Sequence, residues 1–549
     1  MSPPAVRPAV LAFLSFVAVA ATALRAQPAP TATDAAADDA PPSSVTAPAG
    51  MARVRPAEGK PAEGERDAKL ADVAAAPVKE RRIATRHTVA LPGRTLAYEA
   101  TAGTLTLRDD QGKPTASMFY VAYTVDHPGA GAPRPVTFFY NGGPGAASVW
   151  LHLGSFGPLR VLTDSPDATH NAPFVLAPNP ETLLDRTDLV FLDAIGAGYS
   201  RPLGDNKGEK FWGVDQDVDA FARAITRFVS LHRRWNSPKF LFGESYGTTR
   251  SAALVDALQQ EGLQINGVVL LSTILNYGIR NPGFDRVYVA YVPSYAAAAW
   301  YHHKLEAPAA DLAAWIQEAR VWAAGPYATA LEAGQDLPEA DAARIAQQLH
   351  HYTGLSVAFI RANHLRVPLS RFRKELLRDG HRTIGRYDAR FTGIDADDAG
   401  ETPEFDASST GITGAYIAAL HQYLETELNY PSDLRYWPSG PEINQHWDWH
   451  HKVRGVSGSQ TQPDVALDLG AALRENPHLR VLSLNGWYDL ATPFFETEFD
   501  LKHLELDPSL RSHVQFAYYP SGHMVYLNVD ALRQMRAELG RWYEAAGVK

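Results

Sequence analysis

The stretch Lys239-Phe240-Leu241-Phe242-Gly243-Glu244-Ser245-Tyr246-Gly247-Thr248-Thr249 carries an apolar strand into a Gly-x-Ser-x-Gly turn and on into a helix. That order of elements is a nucleophile elbow, a turn tight enough to lift one side chain above the end of a sheet. Gly243 and Gly247 remove the Cβ atoms that would otherwise block the backbone at such a bend. Ser245 is therefore presented to a reactant. Gly-x-Ser-x-Gly also occurs by chance in many sequences, so the reading depends on its surroundings.

A serine hydroxyl is a weak nucleophile near neutral pH. It needs a general base, and the base needs an acid that fixes its tautomer and steadies its positive charge. In hydrolases built around an elbow the acid and then the histidine follow the serine, each on a loop after a late strand. Residues 478–484 read as a strand that empties into Asn485-Gly486-Trp487-Tyr488-Asp489, which makes Asp489 the orienting acid. Residues 514–519 read as the next strand, and Pro520-Ser521-Gly522-His523-Met524 after it makes His523 the general base. Singly, Asp489 is a turn residue and His523 one of 19 histidines; in this order, each after a strand, they complete a catalytic set.

Acyl transfer also needs preorganised donors for the oxyanion, usually backbone N–H groups. One belongs to the residue after the nucleophile, Tyr246. The second is expected from Asn141-Gly142-Gly143-Pro144-Gly145, a glycine-rich bend after the strand at 136–140, with Gly143 as donor. Such a bend could also cradle a phosphate. No Lys-Ser or Lys-Thr follows it, and the spacing is not that of a dinucleotide fingerprint.

With these blocks in place the chain resembles the serine carboxypeptidases, peptidases of the α/β-hydrolase fold, as a cysteine-free bacterial member. The likeness rests on Asn141-Gly142-Gly143-Pro144-Gly145, Gly243-Glu244-Ser245-Tyr246-Gly247, the loop from Asn485 to Asp489, and Gly522-His523-Met524-Val525, spread over roughly residues 85 to 545. A weaker match is Ala194-Ile195-Gly196-Ala197-Gly198-Tyr199-Ser200. The resemblance implies that Asn141 and Glu244 bind the free carboxylate at the end of a peptide. A carboxyl group can donate to a carboxylate only when protonated, so such a site works better in mild acid. By itself Glu244 could equally be an ionised residue at a helix start.

The chain departs from the family pattern at several points. Phe139 stands where the family has Trp, and Ala146-Ala147-Ser148 where it has Cys-Ser-Ser. Ser155-Phe156-Gly157-Pro158 replaces Glu-Leu-Gly-Pro, which removes a second carboxylate-binding acid, and Ala194 replaces a proline.

The N-terminus has Arg7, an apolar run from Ala9 to Leu24 and small Ala26 at a cleavage point, so 1–26 reads as a secretory signal peptide and the location as periplasmic or secreted. The alternative is a retained anchor, although the apolar core is short for a membrane span and no stable insertion is expected. Cysteine is absent from all 549 residues, so stability must come from the core rather than from disulfides. Residues 27–84, rich in Ala and Pro, read as a disordered linker.

Alternating runs between Thr85 and Asp126, turning at Asp109-Asp110-Gln111-Gly112, predict antiparallel strands that open the sheet. Strands near 136–140, 189–192, 239–242 and 267–271 then alternate with helices such as 215–235 and 246–259. This predicts an α/β-hydrolase fold with a mostly parallel central sheet and helices on both faces. The catalytic domain spans 85–274 and 476–549, and 275–475, with helical stretches at 309–324 and 339–351, reads as a mainly helical cap insertion. Its patch of Trp437, His446, Trp447, Trp449, His450 and His451 has no His-Glu-x-x-His spacing and reads as aromatic packing or pocket lining rather than metal ligation. His302-His303 and His350-His351 read as solvated.

A net charge of −10 with no basic stripe argues against nucleic acid as a partner. The expectation is a serine-type carboxypeptidase that needs no cofactor or metal and acts on a peptide substrate through an acyl-enzyme on Ser245. A serine esterase or acyltransferase would use the same groups, and a binding protein could keep the fold without activity. Nothing in the sequence sets an oligomeric state.

Overall fold

In the computed structural model, which describes residues 75–125, 133–281 and 283–547, strands β1 (Arg82–Leu91), β2 (Arg94–Arg108) and β3 (Pro114–Thr124) form an antiparallel meander. The parallel strands of the central sheet are β4 (Val136–Tyr140), β5 (Asp188–Leu192), β6 (Lys239–Glu244), β7 (Gly267–Leu271), β8 (Arg480–Gly486) and β9 (Val514–Tyr519), and a short strand, Arg201–Pro202, pairs with β3. They stand in the order β1-β2-β3-β5-β4-β6-β7-β8-β9, and every pair from β5 to β9 is parallel. Successive residues of a strand point to opposite faces, and the apolar runs of the parallel strands serve both. Phe139, Phe191 and Phe242 stack on one face at 4.9 and 4.8 Å, while Phe138, Val190 and Leu241 enter the core on the other.

Helices α1 (Val214–Leu231), α2 (Tyr246–Gln260) and α3 (Ala466–Glu475) bury their apolar sides against the second face, and α4 (Val529–Ala545) covers the first with Leu539, Trp542 and Tyr543. The expected α/β-hydrolase architecture is thus present, a mostly parallel sheet between helical layers.

Two boundaries differ from the sequence reading. The linker was expected to reach residue 84, yet β1 opens at Arg82 and both Glu80 carboxylate oxygens accept from Arg227, at 2.8 and 2.7 Å. Charge pairing on α1 extends the ordered body upstream. The expected insertion 275–475 also divides. Helices Arg286–Tyr301, Leu312–Trp322 and Glu339–Thr353 pack around a further core, with Trp315, Ile316, Trp322 and Leu349, which Tyr488 and Leu490 also enter. By contrast, α3 belongs to the sheet's helical layer, where Leu469 and Leu473 join Leu254 and Leu258. The expected signal peptide, 1–26, and the linker up to residue 74 lie outside the described residues. Among the described residues no helix is long and apolar enough to cross a membrane.

Candidate active site

Ser245 sits between the end of β6 and the start of α2 with φ 61° and ψ −131°, a conformation that costs a non-glycine residue roughly 1–3 kcal/mol. The surroundings enforce it. A Cβ at Gly243 would lie 2.1 Å from the Gly247 carbonyl oxygen, and one at Gly247 would lie 2.8 Å from that of Tyr140. Only glycines allow the turn, and Ser245 stays partly exposed while its neighbours on both sides are buried.

Asp489 and His523 meet beyond the ends of β8 and β9. The imidazole Nδ1 and Asp489 Oδ2 are 2.8 Å apart, with both residues buried. Asp489 is held on both oxygens. Oδ1 accepts from the N–H groups of Ala491 and Thr492 at 2.8 and 3.0 Å, and Oδ2 accepts from Thr492 Oγ1 at 2.7 Å. With Nδ1–H directed to a fixed carboxylate, Nε2 is left as the basic nitrogen. Burial pulls the imidazole pKa down, but the charge and hydrogen bond of Asp489, with Glu244 adding, leave it above the ordinary histidine value.

Strand β7 ends between Ser245 and His523. The Leu271 carbonyl accepts from the Ser245 N–H at 3.0 Å, and the next residue, Ser272, donates its hydroxyl to the His523 carbonyl at 2.6 Å. Two consecutive residues thus tie together segments far apart in the chain.

The glycine-rich bend lies against the elbow. A Cβ at Gly142 would come within 2.3 Å of the Tyr246 nitrogen, so the loop backbone packs directly on the start of α2. Gly143 has φ +102°, open only to glycine without strain. The N–H groups of Gly143 and Tyr246 donate to no protein acceptor among the described residues. Arg250, fully buried, donates to the Asn141 carbonyl at 2.8 Å and pairs with Asp217 at 2.6 Å, which fixes the loop from below.

Asn141 and Glu244 share a buried pocket. Tyr526 donates its hydroxyl to Glu244 Oε2 at 3.0 Å, and the Asn141 side chain also hydrogen-bonds Glu244. Burial dominates, and the Glu244 carboxyl is pushed up to about 7 despite the hydrogen bonds and the nearby His523. Ser155 brings no second acid. Its hydroxyl donates to the Leu151 carbonyl of its own turn at 2.5 Å.

A family model described as serine carboxypeptidase matches residues 92–524. The chain belongs to the serine carboxypeptidase family. It is accordingly a serine hydrolase. Among solved structures it is similar to a prohormone-processing carboxypeptidase from Saccharomyces cerevisiae, with a TM-score of 0.50 and 15% identity over 81% of this chain and 91% of that one. It also matches a proline iminopeptidase from Mycobacterium smegmatis, with a TM-score of 0.34 and 14% identity over 81% and 98% of the two chains. At 15% identity the likeness to the first of these is one of fold. Comparison with curated protein sequences finds no match.

Several groups in this candidate site were not anticipated from the sequence. Thr492 bridges Asp489 and His523, lying 3.2 Å from the imidazole Nδ1, and its position three residues after the acid is the only sequence hint. Tyr526 stands three residues after His523. Residues 386–390 of the insertion form a strap across the loops that carry Asp489 and His523. The Arg386 carbonyl accepts from Leu490 N–H at 3.0 Å, the Tyr387 carbonyl from His523 N–H at 2.6 Å, and Ala389 N–H donates to the Tyr488 carbonyl at 2.9 Å. Arg390, paired with Asp388 at 2.6 Å, reaches Ser521 Oγ at 3.2 Å.

The aromatic and histidine patch resolves into separate parts. Trp447 packs on Tyr246 at 5.1 Å, and Trp449 on Tyr277 at 4.8 Å. His451 is clamped between Asp215 and Asp468 at 2.6 and 2.9 Å, which together outweigh burial and push its pKa up to about 9. Among the described residues no group of three or more His, Asp or Glu side chains could hold a metal ion. His302 and His350, expected to be solvated, instead hydrogen-bond the carbonyls of Ala389 and Leu355 at 2.7 Å each.

Proposed function

We propose that this hydrolase is a serine-type carboxypeptidase, exported to the periplasm or secreted, that removes residues from the C-terminus of peptides. His523 takes the proton of Ser245 as its hydroxyl attacks the scissile carbonyl, and Asp489 orients the imidazole and stabilises its charged form. The N–H groups of Gly143 and Tyr246 hold the oxyanion. His523 then gives the proton to the leaving amine, and water releases the acyl group from Ser245.

The observation that carries the exopeptidase reading is the buried Glu244 beside the nucleophile. A carboxyl group held neutral up to about pH 7 is a hydrogen-bond donor, and together with Asn141 it suits a free terminal carboxylate. The deciding experiment compares a blocked dipeptide bearing a free carboxylate with its amide across pH 4 to 8. Faster cleavage of the free acid, most marked in mild acid, is the expected result; equal rates would remove the exopeptidase assignment.

A broader serine esterase or acyltransferase is favoured by one observation. Ser155 turns its hydroxyl onto its own helical turn, so this pocket has one acid where the family pattern has two. Turnover of blocked esters with no cleavage of peptides would establish that reading.

A further inference from the structure

The Nδ1 edge of the His523 imidazole is taken up by Asp489 and Thr492, so the opposite edge faces the reacting bond. That edge returns the proton to the leaving amine, and whatever flanks the imidazole on this side also flanks the departing residue. Tyr387 of the strap packs against this imidazole. Its ring lies 5.1 Å from the imidazole at an angle of 53°. The residues before and after it, Arg386 and Asp388, are buried, whereas Tyr387 itself is only half-buried. Its main chain is fixed independently of the ring. The N–H donates to Ser408 Oγ at 3.2 Å and the carbonyl accepts from His523 N–H.

We propose that Tyr387 is a specificity-determining residue, the wall on which the side chain of the departing C-terminal residue packs. This rests on the carboxypeptidase reading above. On this proposal the acyl half of the substrate lies away from Tyr387, toward Tyr246, whose apolar cluster with Trp447 and Ile443 is a separate one. Tyr387 therefore acts on the leaving residue alone. Its contact exists while that residue is being expelled and is gone once the acyl-enzyme stands free, so acylation depends on it and deacylation does not.

Because the backbone bonds do not involve the phenol, Tyr387→Ala and Tyr387→Phe leave the hold on His523 in place. The test measures kcat/KM on blocked dipeptides with one acyl residue and either Phe, Leu, Ala or Gly as the leaving residue. For Tyr387→Ala, cleavage with Phe or Leu leaving is expected to fall roughly tenfold, in the range set by losing part of an apolar pocket, while Gly changes less than about twofold. Tyr387→Phe keeps the wild-type order. The pH profile and labelling of Ser245 by a fluorophosphonate stay unchanged. An equal fall on all four substrates, or no change in their order, would overturn the proposal.

A failed peptidase reading shows separately, as a wild-type enzyme that cleaves none of these peptides. Tyr387 remains testable then through an ester with the same acyl group. Added phenylalaninamide competes with water for the acyl-enzyme, and Tyr387→Ala should lower the yield of amide product relative to acid. An unchanged partition would overturn the proposal there too.

Discussion

Tyr526 donates its phenolic proton to Glu244 Oε2 at 3.0 Å in a pocket where both side chains are buried beside the nucleophile. The pair links the loop carrying the base to the residue preceding the serine. Since burial pushes the Glu244 carboxyl up to about 7, it is protonated in mild acid and ionised above neutrality. An ionised Glu244 would repel the substrate carboxylate it is proposed to bind. Hydrolysis of free-acid substrates should therefore decline as pH rises through about 7, chiefly through a rising KM. Glu244→Gln, a permanently neutral donor, should abolish that decline, and steady-state kinetics from pH 5 to 9 will read it.

The same proton couples to folding. Unfolded, Glu244 titrates near its ordinary 4.5; folded, near 7. Between these values the native state holds a proton that the unfolded state has released, so stability falls as pH rises across the interval and flattens above it. The total is about 3 kcal/mol. Glu244→Gln lacks this slope. Its melting temperature relative to wild type should increase between pH 5 and pH 8, and a constant difference would contradict the assigned titration.

Asp489 raises the pKa of His523 against the pull of burial. A protonated imidazole cannot take the serine proton, so activity has an acid limb at that pKa. Asp489→Asn removes the charge and lets the imidazole pKa drop, which moves the acid limb to lower pH. It also permits the wrong tautomer, and kcat should fall by roughly 10³ to 10⁴. Rate profiles from pH 4 to 8, with fluorophosphonate labelling as a check on the fold, will show both effects.

The residues proposed as catalytic could be picked out because each sits on a local pattern, an apolar strand emptying into a turn, that survives without knowledge of the rest of the chain. Ser245, Asp489 and His523 needed only that pattern and their order. The groups that support them obey no such rule. Tyr526 and Glu244 are 282 residues apart, and Arg250 reaches a carbonyl 109 residues away. Neither periodicity nor turn chemistry encodes a buried polar pairing at such separation. Residues 386–390 were hidden for a related reason: much of their work is done by main-chain N–H and carbonyl groups, which every sequence has. The helix α3 was misassigned to the insertion because its apolar spacing specifies a buried face but not which layer buries it.

Gly142 and Gly540 make opposite demands, and replacing each by alanine separates catalysis from stability. At Gly142 a Cβ would stand 2.3 Å from the Tyr246 nitrogen and 2.6 Å from that of Gly247. These are backbone atoms at the head of α2, so relief requires the glycine-rich loop to draw back from the oxyanion position. Loss of one preorganised donor costs roughly 10² to 10³ in kcat. Gly142→Ala should show a loss of that order, with the acid limb unmoved because the contacts of His523 with Asp489 and Thr492 are intact. At Gly540, inside α4, the nearest atom to a new Cβ is an Arg186 nitrogen at 4.0 Å. Alanine there removes the conformational penalty of a helical glycine and should stabilise the protein by about 0.5–1 kcal/mol with kcat unchanged. Thermal melts and kcat measured on the two variants together will distinguish a displaced oxyanion loop from general destabilisation.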